Sequence, residues 1–225
     1  MPPSFYAMLE RFIQLSFTDD AGRELPDATR KRLKDAFAPG ATRRMTQLGM
    51  LVGSVLGRIE LEADDALVYA SGYGESRTLE SYLDGFPHPS PTLFQTSIHP
   101  SGAQQGLIGR QTSVREFFPL SGGAQLTAQA VTTALLSTHA RVCLCGGEET
   151  ATWLLDNQAA SDRSFALALL LSTEPGAHAP LGKIELHATD SSGTLSWPEF
   201  FELIHQHESF DGPIGPGRRL RLTWS

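Results

Sequence analysis

A layered α/β fold is predicted by three features of the sequence. Residues 66–71 form a continuous apolar run of strand length, as expected for a strand buried on both faces of a parallel sheet. The run enters the tight turn Gly72-Tyr73-Gly74-Glu75, and a helix is predicted directly after it, over residues 76–83. A second apolar run covers residues 165–172, and helix-spaced apolar residues recur elsewhere. This mixture indicates helices packed in layers on a sheet, in an αβα arrangement.

The composition is typical of one globular domain, which we expect to span residues 1–225. The chain has 225 residues, of which 40% are hydrophobic and 19% are charged. Its net charge of −7 argues against a nucleic-acid or anionic-membrane partner, because both need clustered Lys and Arg. Glu10, Arg11 and Gln14 interrupt the apolar residues near the N-terminus, so we expect no signal peptide and no membrane span there. A cytoplasmic location is the resulting expectation.

The pattern of apolar residues predicts the remaining elements. Helical spacing over residues 4–18 predicts a first helix, and Asp27 is expected to cap a second one over residues 27–37. Further helices are predicted over residues 42–59, 101–110, 123–138, 148–156 and 197–207. Extended segments are predicted over residues 93–98, 113–120, 141–145, 181–189 and 218–224, the last as an edge strand. Gly49, Gly53 and Gly57 in the 42–59 helix are expected to let a neighbouring element approach closely.

Several segments together resemble the N-terminal half of the β-ketoacyl synthases, which have the thiolase fold. They are residues 42–45 (TRRM), 66–75 (ALVYASGYGE), 90–99 (SPTLFQTSIH), 123–138, 141–149 (RVCLCGGEE) and 162–171 (DRSFALALLL). Their shared order carries the resemblance, which covers about three quarters of the chain. More narrowly, the chain resembles the short, chain-length-factor-like subunits found beside aryl polyene and related pigment synthases.

The chain departs from that family at the positions that do chemistry. An active ketosynthase has a Cys at the turn before its nucleophile helix, where the helix N-terminus lowers the thiol pKa. The corresponding position falls within residues 120–123, Leu-Ser-Gly-Gly, and none is Cys. The family's His-Asn pair is His99-Pro100 here. Its C-terminal His and Lys residues have no match, since the three lysines lie outside any such motif. The resemblance therefore implies a non-catalytic subunit.

The resemblance also implies a partner, a full-length catalytic ketosynthase, with an acyl carrier protein delivering substrate mainly to that subunit. In thiolase-fold proteins the strand before the nucleophile helix pairs across the dimer axis. The implied interface and acyl-tunnel residues here are Val114, Phe117, Phe118, Leu120 and Gln125. A half-sized fold is also expected to leave apolar surface that the partner covers.

Two other functions stay open from the sequence. Ser121 could act as a substitute nucleophile with His99 as its base, giving a residual acyl-thioester hydrolase or decarboxylase. Against this, Ser121 could simply cap the following helix, and His99 could be an ordinary polar residue at a turn. The chain could also be a self-associating binding domain. No metal or cofactor is expected, because His205 and His207 are two residues apart and do not share a helix face.

Overall fold

The computed structural model describes residues 8–225, which form eight strands and eight α-helices. The strands are β1 (Leu9–Gly22), β2 (Ala66–Ser71), β3 (Glu116–Ser121), β4 (Arg141–Glu148), β5 (Ser164–Ser172), β6 (Gly182–Ala188), β7 (Phe210–Gly215) and β8 (Arg218–Trp224). The helices are α1 (Pro26–Leu33), α2 (Gln47–Leu56), α3 (Ser76–Asp84), α4 (Pro91–Ser97), α5 (Ser101–Arg110), α6 (Leu126–Leu136), α7 (Trp153–Asp156) and α8 (Trp197–His205). Two short 3₁₀ helices, Lys34–Ala36 and Ala41–Arg44, lie between α1 and α2.

All eight strands belong to one sheet, in the order β3-β2-β4-β5-β1-β6-β8-β7. The strand β2 pairs in parallel with both β3 and β4, and every other pair is antiparallel. The predicted buried parallel strand at residues 66–71 is therefore confirmed. The sheet ends at β3 on one side and at β7 on the other.

Helices cover both faces of the sheet, as the sequence predicts. The helices α6 and α8 pack on one face, and α2 and α5 pack on the other. Alternation along β4 shows why both faces are apolar: Val142 and Leu144 point to the α6 side, whereas Cys143 and Cys145 point together to the α2 side. Both cysteines are free and buried. No helix within residues 8–225 has the length and apolarity that crossing a bilayer requires.

The helix α2 is buried on nearly every side, because its neighbours offer small residues. On the sheet side, Ala166 and Ala168 of β5 leave room for it. On the other side, a Cβ added to Gly106 of α5 would lie 3.4 Å from the Cα of Gly53 in α2. The predicted close approach along the α2 glycines is confirmed, and α5 is the element that approaches.

The helix predicted over residues 4–18 is wrong for the part that the structure describes. Residues 9–22 form β1, the long strand between β5 and β6, and residues 1–7 lie outside the described range. A register shift between Ile13 and Leu15 explains the misleading pattern. Leu9 and Ile13 face α6, but the bulge turns Leu15 and Phe17 to the α2 face. The apolar spacing therefore loses its period of two.

Other boundaries also need correction. Residues 93–97 are helical rather than extended, since Ser90 caps α4 and Pro91 begins it, whereas Ile98 is extended. Leu25, not Asp27, occupies the N-cap position of α1, where Pro26 begins the helix. The α2 helix begins after Thr46, whose side chain accepts a hydrogen bond from the Gly49 N–H.

The predicted edge position of residues 218–224 is wrong. This segment is β8, which lies between β6 and β7. The true edge strand β7 was not predicted, because Gly212, Pro213 and Gly215 make its sequence resemble a loop. The helix predicted over residues 148–156 is only α7, since Glu148 still belongs to β4.

Candidate functional site

The strand β3 forms one edge of the sheet and contains most of the predicted interface residues. It pairs with β2 on one side, with Pro119 opposite Tyr69, and no other strand of residues 8–225 pairs with it. Phe117 packs toward α2 and α5, whereas Phe118 and Leu120 pack toward α6. All three are half-buried, and Pro119 and Ser121 are exposed. The strand thus presents bulky apolar side chains on both sheet faces beside an unpaired backbone edge.

The remaining two interface candidates lie near the ends of this strand. Val114 precedes β3 and packs against the cluster around α2 and α5. Gln125 occupies the N-cap position of α6, and its Oε1 lies 2.7 Å from where a Cβ on Gly215 would be. Gln125 therefore contacts β7 of its own chain. Phe118 and Leu120 share one face of the sheet, and Val114 and Phe117 share the other.

A cavity of about 500 Å³ opens at the start of α6, where the resemblance places the missing cysteine. Segments 72–73, 122–124 and 196–198 line it, together with Leu126 and Glu148. No Cys, His or Lys is among these residues, so the cavity holds no thiol, imidazole or amine that could act as a nucleophile or base. Its one ionisable acid, Glu148, is already engaged by the turn after β2.

Glu148 binds that turn through three hydrogen bonds. Its Oε1 accepts from the Gly72 N–H at 2.5 Å, and its Oε2 accepts from the Tyr73 N–H and the Ser71 hydroxyl at 3.1 Å each. Burial raises the pKa of Glu148 to about 7, although these hydrogen bonds oppose the rise. The carboxyl therefore fixes the cavity wall and titrates near neutral pH.

Two further buried carboxyls fasten helix N-termini next to this turn. Glu149 accepts from the Leu48 N–H of α2 at 2.8 Å and from the Arg77 N–H of α3 at 3.0 Å. Glu75 accepts from the Gly102 N–H of α5. Burial raises the pKa of Glu149 to about 7 and that of Glu75 to about 8, with the charge of Glu149 adding to the rise at Glu75. In their ionised form, glutamates at these ends complement the helix dipoles.

Ser121 and His99 are not joined by a hydrogen bond. The His99 ring stacks on Tyr69, with ring centroids 5.0 Å apart, and both of its ring nitrogens are buried without a partner. Burial lowers the pKa of His99, and the neighbouring Leu120 backbone opposes this only in part. Ser121 ends β3 and does not cap α6, which begins five residues later.

The carboxyl cluster is the part of the site that the sequence analysis missed. Its signal is an acidic residue at the end of an apolar strand or in the segment that follows, as for Glu148 at the end of β4, Glu149 directly after it and Glu75 in the turn after β2. Such acids are expected to be buried with partners. No group of His, Cys, Asp and Glu side chains within residues 8–225 is arranged to hold a metal ion.

Comparison with known proteins adds the fold relationship. No protein-family model matches the sequence, and no curated protein sequence matches it. The structure is similar to that of a ketosynthase in complex with its chain length factor from Xenorhabdus doucetiae, with 20% identity over 96% of this chain and 99% of that chain and a TM-score of 0.68. The fold is ketosynthase-like.

Two more solved structures agree with this fold. The ishigamide ketosynthase/chain length factor matches 69% of this chain and 52% of its own, with 13% identity and a TM-score of 0.54. A β-ketoacyl synthase from Burkholderia phymatum matches 81% of this chain and 65% of its own, also with 13% identity and a TM-score of 0.54. The ketosynthase-like chain described here thus spans about half to two thirds of these two structures, as the predicted half-sized thiolase-like fold requires.

Proposed function

We propose that this chain is a non-catalytic, chain-length-factor-like subunit that pairs with a catalytic β-ketoacyl synthase in fatty-acid or polyketide-type synthesis, of which aryl polyene synthesis is one. The observation that carries the proposal is the edge strand β3. Its half-exposed Phe117, Phe118 and Leu120 lead into a turn that holds no cysteine. A protein with this strand and this turn is equipped to bind a ketosynthase but not to form the acyl thioester itself.

The edge of β3 supports pairing with another chain. Its outer backbone groups have no strand partner within residues 8–225, and a strand added there would satisfy them. Large apolar side chains on both faces would be covered at the same time, and aromatic residues of this kind are common anchors in interfaces. The similar Xenorhabdus structure is a ketosynthase in complex with its chain length factor.

The position of Phe118 and Leu120 supports a role in product length. Both lie on the α6 face of β3, two residues apart, and α6 is the helix that follows the cysteine-free turn. An acyl chain growing at a partner's active site across this edge would meet these side chains. We propose that their bulk limits its length, that an acyl carrier protein serves mainly the catalytic subunit, and that the pair works in the cytoplasm.

Co-expression with the ketosynthase encoded nearest to this chain tests the pairing. Size-exclusion chromatography with light scattering should give a 1:1 complex. Pro119→Lys places a charge on the exposed β3 edge and should weaken the complex at least tenfold. Pro213→Lys makes the same change on the opposite edge, in β7, and should leave the complex intact. Equal effects of the two variants, or a chain that never binds the ketosynthase, would refute the proposal.

One observation favours a second candidate, the acyl-thioester hydrolase. The ring nitrogens of His99 are buried without partners and lie beside the strand that ends at Ser121, and a neutral imidazole is the form that a base needs. The isolated chain would then hydrolyse acyl thioesters, and both Ser121→Ala and His99→Gln would abolish the activity. Turnover that survives both substitutions would exclude this pair.

A further inference from the structure

A second cavity lies between the segment before α2 and the helix α5. Its lining differs in chemistry from the carboxyl cluster. Its volume is about 500 Å³, within the range of about 300–1,000 Å³ that is usual for small-molecule sites. Phe37, Met45 and Ile108 supply most of its apolar lining, and alanine and glycine residues supply much of the rest. The cavity is therefore suited to an apolar group.

The charged residues at this cavity are both arginines. Arg44 and Arg110 line it, and no acidic residue does, although the chain has a net charge of −7. Arg44 is exposed and makes no ion pair or hydrogen bond to the residues that the structure describes. The guanidinium of Arg110 donates to the Gly57 carbonyl at 2.6 Å and to the Gly53 carbonyl at 3.5 Å, so it is already bound to the C-terminal end of α2. The unpaired guanidinium of Arg44 therefore favours an anion at the rim.

The apolar side of the cavity is open as well. Ile108 is 76% exposed, the highest exposure among the large apolar side chains of residues 8–225. A ligand seated against Ile108 would remove this surface from water, which is favourable in proportion to the apolar area buried. The cavity thus offers a contact for an apolar tail and a separate contact for a negative charge.

We propose that this cavity binds a small amphiphilic anion, a carboxylate attached to an apolar tail. The carboxylate would lie at Arg44, and the tail would lie against Phe37, Met45 and Ile108. This site is independent of the β3 edge and of the pairing proposed above, because none of its lining residues belongs to β3 or α6.

A fluorescence titration of the full chain with dansylated undecanoic acid tests the proposal. At physiological salt we expect a Kd on the order of 1–10 µM for a ligand of this size. The uncharged methyl ester of the same probe should bind about tenfold more weakly, because it loses the charge-assisted contacts. Equal binding of acid and ester would overturn the assignment of Arg44.

Neighbouring arginines provide a matched pair of variants. Arg44→Gln should weaken binding of the acid about tenfold, whereas Arg43→Gln, which changes an exposed arginine outside the cavity, should change it less than about twofold. Ile108→Asp should weaken binding at least tenfold without unfolding the chain, since Ile108 is exposed. Binding that ignores Arg44→Gln and Ile108→Asp would overturn the proposal. The proposal would also be overturned if Ile108→Asp, but not Arg44→Gln, changed the mass of the protein particle in solution. The cavity would then be a protein interface.

Discussion

Replacing Glu75 by Gln should stabilise the folded chain at alkaline pH. The amide oxygen of the substituted side chain can still accept the Gly102 N–H, but the side chain no longer carries a charge into a buried site. Burial raises the pKa of Glu75 from 4.5 to about 8. At about 1.4 kcal/mol per pKa unit, this shift corresponds to at most about 5 kcal/mol. Relaxation of the site reduces the cost, so we expect a gain of about 2–4 kcal/mol at pH 8.5.

The sign follows from proton binding. Between pH 4.5 and about 8 the folded chain holds a proton on Glu75 that the unfolded chain has released, so the free energy of unfolding falls as pH rises. Glu148 and Glu149 act in the same direction, with pKa values raised to about 7. Glu75→Gln should therefore match the parent chain near pH 4 and exceed it progressively from about pH 5 to pH 8.

Urea unfolding at intervals from pH 5 to pH 8.5 measures this difference. Glu80→Gln is the matched control, since Glu80 is also buried and accepts from the Thr152 and Leu154 N–H groups at the start of α7. Burial raises the pKa of Glu80, but these hydrogen bonds outweigh it and lower the pKa overall. Glu80→Gln should thus cost about 1 kcal/mol at neutral pH and less toward pH 4. A pH-independent effect of Glu75→Gln would refute the reasoning.

Two further predictions concern single backbone and side-chain contacts. Arg11→Met should destabilise the chain by about 2–4 kcal/mol in urea unfolding. The buried Arg11 guanidinium donates to the carbonyls of Ser137, His139 and Ala140 at the end of α6, and these hydrogen bonds would be lost. An effect below about 1 kcal/mol would contradict this role. Gly146→Ala should prevent folding, as judged by circular dichroism, since its Cβ would overlap the Ala70 carbonyl oxygen. Gly109→Ala meets nothing within 4 Å and should instead stabilise α5 by about 0.5–1 kcal/mol.

The sequence was informative where a strand is buried on both faces. The strands β2 and β5 are continuous apolar runs, and their bounds differ from prediction by at most one residue. Prediction failed where one strand changes faces or carries turn residues. The bulge in β1 moves Leu15 and Phe17 to the opposite face from Ile13, and the glycines of β7 resemble a loop. Both features depend on neighbouring strands that no local pattern reveals.

Only one part of the candidate functional site could be predicted from the sequence. The sequence shows directly that residues 120–123 are Leu-Ser-Gly-Gly and contain no cysteine. The carboxyl cluster cannot be predicted in this way, because its contacts join distant parts of the chain. Glu149 reaches Leu48, 101 residues away, and Glu148 reaches Gly72, 76 residues away. Only the fold shows that these acids meet.

The carboxyl cluster stabilises this ketosynthase-like fold through contacts that do not involve residues 120–123. The Glu75, Glu148 and Glu149 side chains satisfy N–H groups at the starts of α2, α3 and α5 and in the turn after β2. Such groups need partners whether or not chemistry takes place beside them. The turn at residues 120–123 makes no comparable demand, since Ser121 is exposed and α6 begins without a side-chain cap. A side-chain change within residues 120–123 should therefore leave the fold intact, while truncation of a cluster side chain to alanine would leave buried N–H groups without acceptors.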